Sequence, residues 1–387
     1  MIAPLVISTL VIVTTASEFE GTLTLSLQNR IILQGLLKHT DKLQQFACKH
    51  NGTRVSGSEG HQLTIGFVYG VVKKAGYRVT LQQFSALYYE SLAQSLSANG
   101  KEFTIYAMPL IASPPRYGLL APVALVSSAA GDNGKAGCEE GDFTGVDLKD
   151  KVALMERGCS ITDKSINAKK HDAAAFIIYN NGPADFFDEV DDIDEEVLSI
   201  PTGAETKGGD PTKVIFLGAH SDSVRAGPGI NDNGSGSAAL LEVARQFGHT
   251  RPKNKVRFGW WSAEEFGLLG SEHYVSKLSK TDIDSIAVIL NFDMIASPNY
   301  VIRVLNGDSS GQPTPAGSEV VTALFEKHFQ AKDVVYESGL YPYSRSDVGP
   351  FAAVGIPSGG LDTGADELKT EEEAKKFGGK AGQPLDP

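Results

Sequence analysis

Three continuous apolar runs dominate the carboxyl-terminal half of the chain, and each stops on residues able to bind a metal. Val214 to Ala219 (VIFLGA) ends on His220-Ser221-Asp222, Val256 to Ala263 (VRFGWWSA) on Glu264-Glu265, and Ile286 to Phe292 (IAVILNF) on Asp293. Runs without polar alternation are the pattern of strands buried on both faces, as in a parallel sheet covered by helices. In open sheets of that kind the ligand crevice lies outside the carboxyl ends of the strands, so the three endings are expected to converge. The predicted fold class is α/β, a mostly parallel sheet with flanking helices.

The amino-terminal half reads differently. Gln28 to Lys49 and Gln62 to Ala75 have helical periodicity, the second stopped by Gly76 as a C-cap glycine would stop it. Strand patterns follow at Tyr77 to Phe84 and Lys101 to Ile111, and Pro114-Pro115 marks a boundary. Beyond it, Ala121 to Ser127, Lys151 to Glu156 and Ala174 to Tyr179 read as strands of a separate small domain, and the acidic run Asp185 to Glu196 as a solvated loop. Further on, Glu319 to Phe329 is helix-like, with His328 expected on its surface, and Gly355 to Leu361 is strand-like.

The residue types at the three strand ends suit a zinc centre. A neutral imidazole and carboxylate oxygens are ordinary zinc ligands. Asp222, two residues beyond His220, is placed to take the second ring N–H and fix the tautomer, a supporting role. Asp232 lies in the turn Gly229-Ile230-Asn231-Asp232-Asn233-Gly234-Ser235-Gly236, where one aspartate could bridge two metals. The side chains of Glu264 and Glu265 diverge, so one can ligate while the other moves a proton. Taken singly these are ordinary features: a strand-end Asp is usually a helix cap, and Glu-Glu a solvated helix start. Their joint occurrence at three buried strand ends is what points to a two-metal hydrolase.

Composition narrows the partners. The chain has 387 residues, enough for two or three domains, and 41% hydrophobic content supports a large core. A net charge of -12 argues against nucleic acid and anionic membrane surfaces as partners. The opening MIAPLVISTLVIVTTAS is short for a membrane span and is followed by small residues, as in a signal peptide. Three cysteines fit an oxidising compartment with one bridge, and Asn51-Gly52-Thr53 is an N-glycosylation acceptor.

The stretches GAHSDSVRAGPGINDNGSGSAALLEVA, WWSAEEFGLLGS and LNFDMIASPNY resemble the secreted and vacuolar zinc aminopeptidases of fungi, the leucine aminopeptidase and aminopeptidase Y group. ERGCSITDKSINAKKHDAAAFIIYNN resembles the protease-associated domain inserted in those enzymes. The resemblance covers nearly the whole chain. It implies a zinc exopeptidase fold of the phosphorylase/hydrolase-like type with a small β-rich insert, and two zinc ions per subunit. His220, Asp232 and Asp293 would hold one zinc, Asp232 and Glu265 the other, with Glu264 as general acid/base. Also implied are pairing of Cys138 with Cys159, leaving Cys48 free, and a preference for apolar residues such as leucine at the amino terminus of the substrate.

Two departures accompany the resemblance. The family places one more histidine ligand near the carboxyl end of the catalytic domain. The tail KTEEEAKKFGGKAGQPLDP resembles the segment that leads to it, and the sequence stops at Pro387. At Ile200 to Asp210 the strand expected to end the insert runs directly into the TKGGDP turn, as if the last portion of the insert were missing. The expected domains are a signal peptide (1–17), the start of the catalytic domain (18–112), an incomplete insert (113–205) and the main catalytic part (206–387). The expected protein is a secreted or vacuolar, monomeric, disulfide-bonded glycoprotein that acts on peptides with a free amino terminus. Its activity would be impaired if the last ligand is absent, because Asp232 and Glu265 alone are too few for a four-coordinate zinc. Two alternatives stay open: a carboxypeptidase on the same fold, with Arg345 of the loop Ser344-Arg345-Ser346-Asp347 facing the substrate carboxylate, and a non-catalytic binding protein.

Overall fold

A computed structural model describes residues 27–386 apart from 88–93, 106–113, 116, 130–135, 180–195, 200, 249, 307–313 and 340–344. The expected signal peptide and nearly all of the acidic run therefore lie outside the described residues. The chain forms two compact units, one of residues 1–86 with 197–387 and the other of residues 87–196.

The first unit opens with helices α1 (Leu33–Lys49) and α2 (Glu59–Lys74) and strand β1 (Arg78–Leu81). Ser58 caps α2 by accepting from the His61 N–H, and Gly76 follows it with a left-handed φ of 93°. In the second unit, β2 (Val123–Leu125), β3 (Val152–Glu156) and β4 (Ala175–Tyr179) form a parallel three-stranded sheet, with α3 (Ile161–Lys170) between β3 and β4. Its core is small, centred on Val126, Phe143, Leu148, Ala153, Met155 and Ala168. A disulfide joins Cys138 to Cys159, and Cys48 in the first unit is free and exposed.

Back in the first unit the chain runs through β5 (Thr202–Glu205), β6 (Asp210–His220), α4 (Gly234–Phe247), β7 (Asn254–Trp261), β8 (Ile286–Phe292), β9 (Arg303–Leu305), α5 (Ser318–Ala331), β10 (Glu337–Gly339), α6 (Val348–Ala353) and β11 (Ser358–Asp362). Among the described residues the main sheet has eight strands in the order β1-β5-β7-β6-β8-β11-β9-β10. Its centre, β7-β6-β8-β11, is parallel, while β1, β5 and β9 add antiparallel pairings toward the edges. The mostly parallel α/β sheet expected from the uninterrupted runs is therefore present. The chain leaves β6 for β7 on one side and then crosses to β8 on the other, so the sheet changes direction beside β6. Leu217, Ala219, Phe258, Trp260, Leu290 and Phe292 pack with Leu240 and Ala244 of α4 in the main core.

Two expectations are corrected by packing. His328 is buried, not on the helix surface, because it lies three residues beyond Phe325 and seven beyond Val321 on the apolar face of α5. Thr202–Glu205, read as the last strand of the insert, pairs instead with β1 and β7 of the main sheet. Among the described residues no helix is long and apolar enough to cross a membrane.

Candidate metal centre

The parallel centre of the sheet brings the three predicted strand ends together. His220 is the last residue of β6 and is fully buried, and its Nε2 lies 3.0 Å from Asp232 Oδ1, 3.4 Å from Asp293 Oδ1 and 3.7 Å from Glu264 Oε2. One donor atom from each of His220, Asp232 and Asp293 lies within 4.8 Å of the others. Neither His220 ring nitrogen has a well-directed hydrogen bond, and Asp293 Oδ1 and Glu265 Oε1 are buried without a partner. Orphaned buried atoms of this kind are costly in a finished core, and a divalent cation between His220 Nε2 and Asp293 Oδ1 would satisfy those two. An imidazole with carboxylates is a donor set that fits zinc.

Local structure explains how Asp232 reaches β6 from a loop. Gly229 has φ 57°, and a Cβ there would meet Asp232 O at 2.2 Å, so only glycine lets the turn close this tightly. Asn233 caps α4 by accepting from Gly236 N–H (2.9 Å), and its Nδ2 donates to Phe292 O (2.8 Å), tying the loop to the end of β8 one residue before Asp293. The bland reading of this run as a turn and helix cap is thus also true. The same geometry serves both roles.

Charges crowd the site. Burial disfavours a charged His220, but the carboxylates of Glu264 and Asp293 outweigh it and hold the imidazole well above its usual range in the metal-free protein. Burial pushes the Glu264 carboxyl well up; His220 opposes this, and Asp293 and Asp347 add to it. Glu265 rises to about 8, again by burial first and then by Asp232. Asp222 is fully buried, with Oδ1 3.5 Å from His220 Nδ1, at the long end of a hydrogen bond on the side where the sequence predicts support.

Several surrounding residues escaped sequence reasoning. Ser346 Oγ donates to Asp293 Oδ2 (2.6 Å) and accepts from Asn291 Nδ2 (2.9 Å). Asp347 is completely buried, and burial raises its carboxyl to about 8. These two belong to the loop singled out for substrate contact, but the residue chosen there, Arg345, is 74% exposed and 3.8 Å from Asp366. No described contact ties Arg345 to the metal cluster. From the amino-terminal segment, the buried Arg54 donates to the carbonyls of Ser221, Pro228 and Gly229, and His61 Nε2 lies 3.0 Å from Ser221 Oγ. Ser221 Oγ already donates its proton to Trp261 O (2.8 Å), so His61 must donate from Nε2. The tail that the family resemblance ties to the last ligand ends beside the metal loop, where Asp386 Oδ2 accepts from Asn231 Nδ2 (2.9 Å). Asn51 sits exposed in the turn after α1.

Peptidase family M28 matches residues 202–378 and the PA domain residues 120–215. Leucine aminopeptidase 2 of Trichophyton rubrum is 36% identical over 93% of this chain and 79% of its own length. A probable leucine aminopeptidase 2 of Aspergillus oryzae is 37% identical over 92% and 78%. Among solved structures, an aminopeptidase from Aneurinibacillus sp. superposes with a TM-score of 0.72 at 24% identity, covering 87% of this chain and 86% of that one. A zinc aminopeptidase from Bacillus subtilis gives 0.64 at 25% identity, with 85% of each chain covered. With its converging strand ends and its fungal relatives, the chain belongs to peptidase family M28, as an aminopeptidase that carries a PA domain.

Proposed function

We propose that this protein is a zinc aminopeptidase that removes amino-terminal residues, apolar ones such as leucine foremost, from peptides with a free amine. The observation that carries the reading is the cluster of buried His220 with half-buried Asp232 and Asp293, and Glu264 beside it. His220, Asp232 and Asp293 would hold one zinc ion. Asp232 and Glu265 are the described residues that would hold a second. Zinc, when bound, supplies positive charge at the scissile carbonyl and lowers the pKa of water.

Glu264 takes the proton of the attacking water and returns it to the leaving amine. Its desolvated carboxyl binds a proton more readily than a solvent-exposed glutamate would, as the first transfer requires. Asp222 orients His220 from the side away from the cluster, and Ser346 orients Asp293. The surplus of carboxylates, Glu264 and Asp293 foremost, attracts the protonated amine of the substrate and favours cleavage at its amino end. We place the protein in the secretory route or the vacuole, in keeping with its Cys138–Cys159 disulfide.

The test is Glu264→Gln. Release of leucine from a leucyl chromogenic amide should fall by about 10²- to 10⁴-fold in kcat, while zinc content stays at the wild-type value. Unchanged turnover would sink the assignment of Glu264. A wild-type protein that binds no zinc would sink the metal reading itself.

A further inference from the structure

The strand carrying His220 and the loop carrying Asp232 are joined by an excursion of nine residues, Ser221 to Gly229, whose middle reaches solvent at Val224 to Ala226. A loop of that length does not by itself set the distance between its two ends. In this structure one side chain spans them. Arg54, fully buried, donates from Nη1 to Ser221 O, the residue after His220, and from Nη2 to Gly229 O (2.6 Å), three residues before Asp232. Its Nε donates to Pro228 O (2.9 Å). The Arg54 N–H donates to Ser223 Oγ (3.0 Å), so backbone and side chain grip the same excursion.

We propose that Arg54 is a positioning residue for the metal centre: its guanidinium clamps both ends of the 221–229 loop and so sets the His220–Asp232 distance before metal arrives. The inference rests on the zinc reading above. Three carbonyls, each taken by a different guanidinium nitrogen, match the fixed fork of an arginine, whereas an ammonium is a point donor and cannot reach all three. A buried cation near Asp222, Glu265 and Asp232 also offsets carboxylate repulsion in the metal-free state. Pre-organisation of this kind lowers the cost of binding, because the donors are already in place.

Arg54→Lys keeps the charge and removes the fork. Zinc affinity of the folded protein, measured by competition with a chromogenic chelator, should fall at least tenfold, and kcat on a leucyl amide should drop with KM little changed. Val72→Ala, a core change on α2, serves as a control that lowers the melting temperature without touching the loop. Arg54→Lys with wild-type zinc affinity and kcat per folded molecule, whatever its melting temperature, would overturn the proposal. So would an equal loss of zinc affinity in Val72→Ala. If Arg54→Lys does not fold, Ser223→Ala loosens the same excursion by removing the hydroxyl that donates to Gly227 O (3.1 Å) and accepts from Arg54 N. It should weaken zinc severalfold, and unchanged affinity there also overturns the proposal. A wild-type protein that binds no zinc defeats the metal reading and not this one alone.

Discussion

The molecule contains two parallel sheets that differ in what covers them. In the main sheet, Leu290 and Phe292 of β8 are completely buried, and the strand ends carry the acidic and imidazole groups. In the sheet of residues 87–196, β2 leaves Val123 and Leu125 more than half exposed, and a disulfide staples the loop beside a core of few residues. Parallel strands are normally covered on both faces. The covered centre of the main sheet holds an imidazole and carboxylates out of bulk water at its strand ends, and desolvation is the leading influence on Glu264, Glu265 and Asp347. Chemistry sits where burial is deepest, and the less buried unit carries one covalent staple.

That comparison can be broken by substitution. Leu290→Ala in β8 should cost about 2–5 kcal/mol, the range for truncating a buried leucine, measured by denaturant unfolding. Replacing both Cys138 and Cys159 by serine opens a loop with a sequence separation of 21 residues. It should cost the second unit about 3 kcal/mol, seen as faster amide exchange in residues 136–179, with leucine release unchanged. Lost activity there would show that the two units are not as separate in function as their site residues suggest.

His61 adds an acid-sensitive contribution. Burial foremost holds its pKa down to about 4, below its ordinary 6.5. The unfolded chain therefore binds the extra proton between these values, so stability is full above about pH 6.5 and falls as pH drops toward 4, by roughly 2–3 kcal/mol. His61→Gln in the metal-free protein should flatten that fall, read as a smaller difference in unfolding midpoint between pH 7 and pH 4.5. Leu125→Ala should stay within about 0.5 kcal/mol of wild type. A cost as large as that of Leu290→Ala would mean the face of β2 is covered after all, and the contrast between the sheets would fail.

Much of this was legible in the chain. Uninterrupted apolar runs marked β6, β7 and β8 to within a few residues, because a strand buried on both faces tolerates no alternation. His220 and Asp293 were legible together because topology forces strand ends together, and Asp232 because a glycine-rich turn follows the first of them. His328 was misplaced because one polar residue on an apolar helix face breaks the local pattern without changing which face packs. The strand at Thr202–Glu205 was given to the insert because adjacency in sequence does not reveal the sheet in which a strand pairs.

The sequence by itself determined the α/β class and the family, since each depends on patterning and motifs carried locally along the chain. Tertiary structure decided the rest. Arg54 meets Ser221 across 167 positions, His61 meets Ser221 across 160, and Asp386 meets Asn231 across 155. An arginine in a loop looks the same in sequence whether its donors face water or three carbonyls. Only the folded chain shows which groups share a desolvated volume, and desolvation separates a surface arginine from one whose guanidinium is spent on backbone carbonyls.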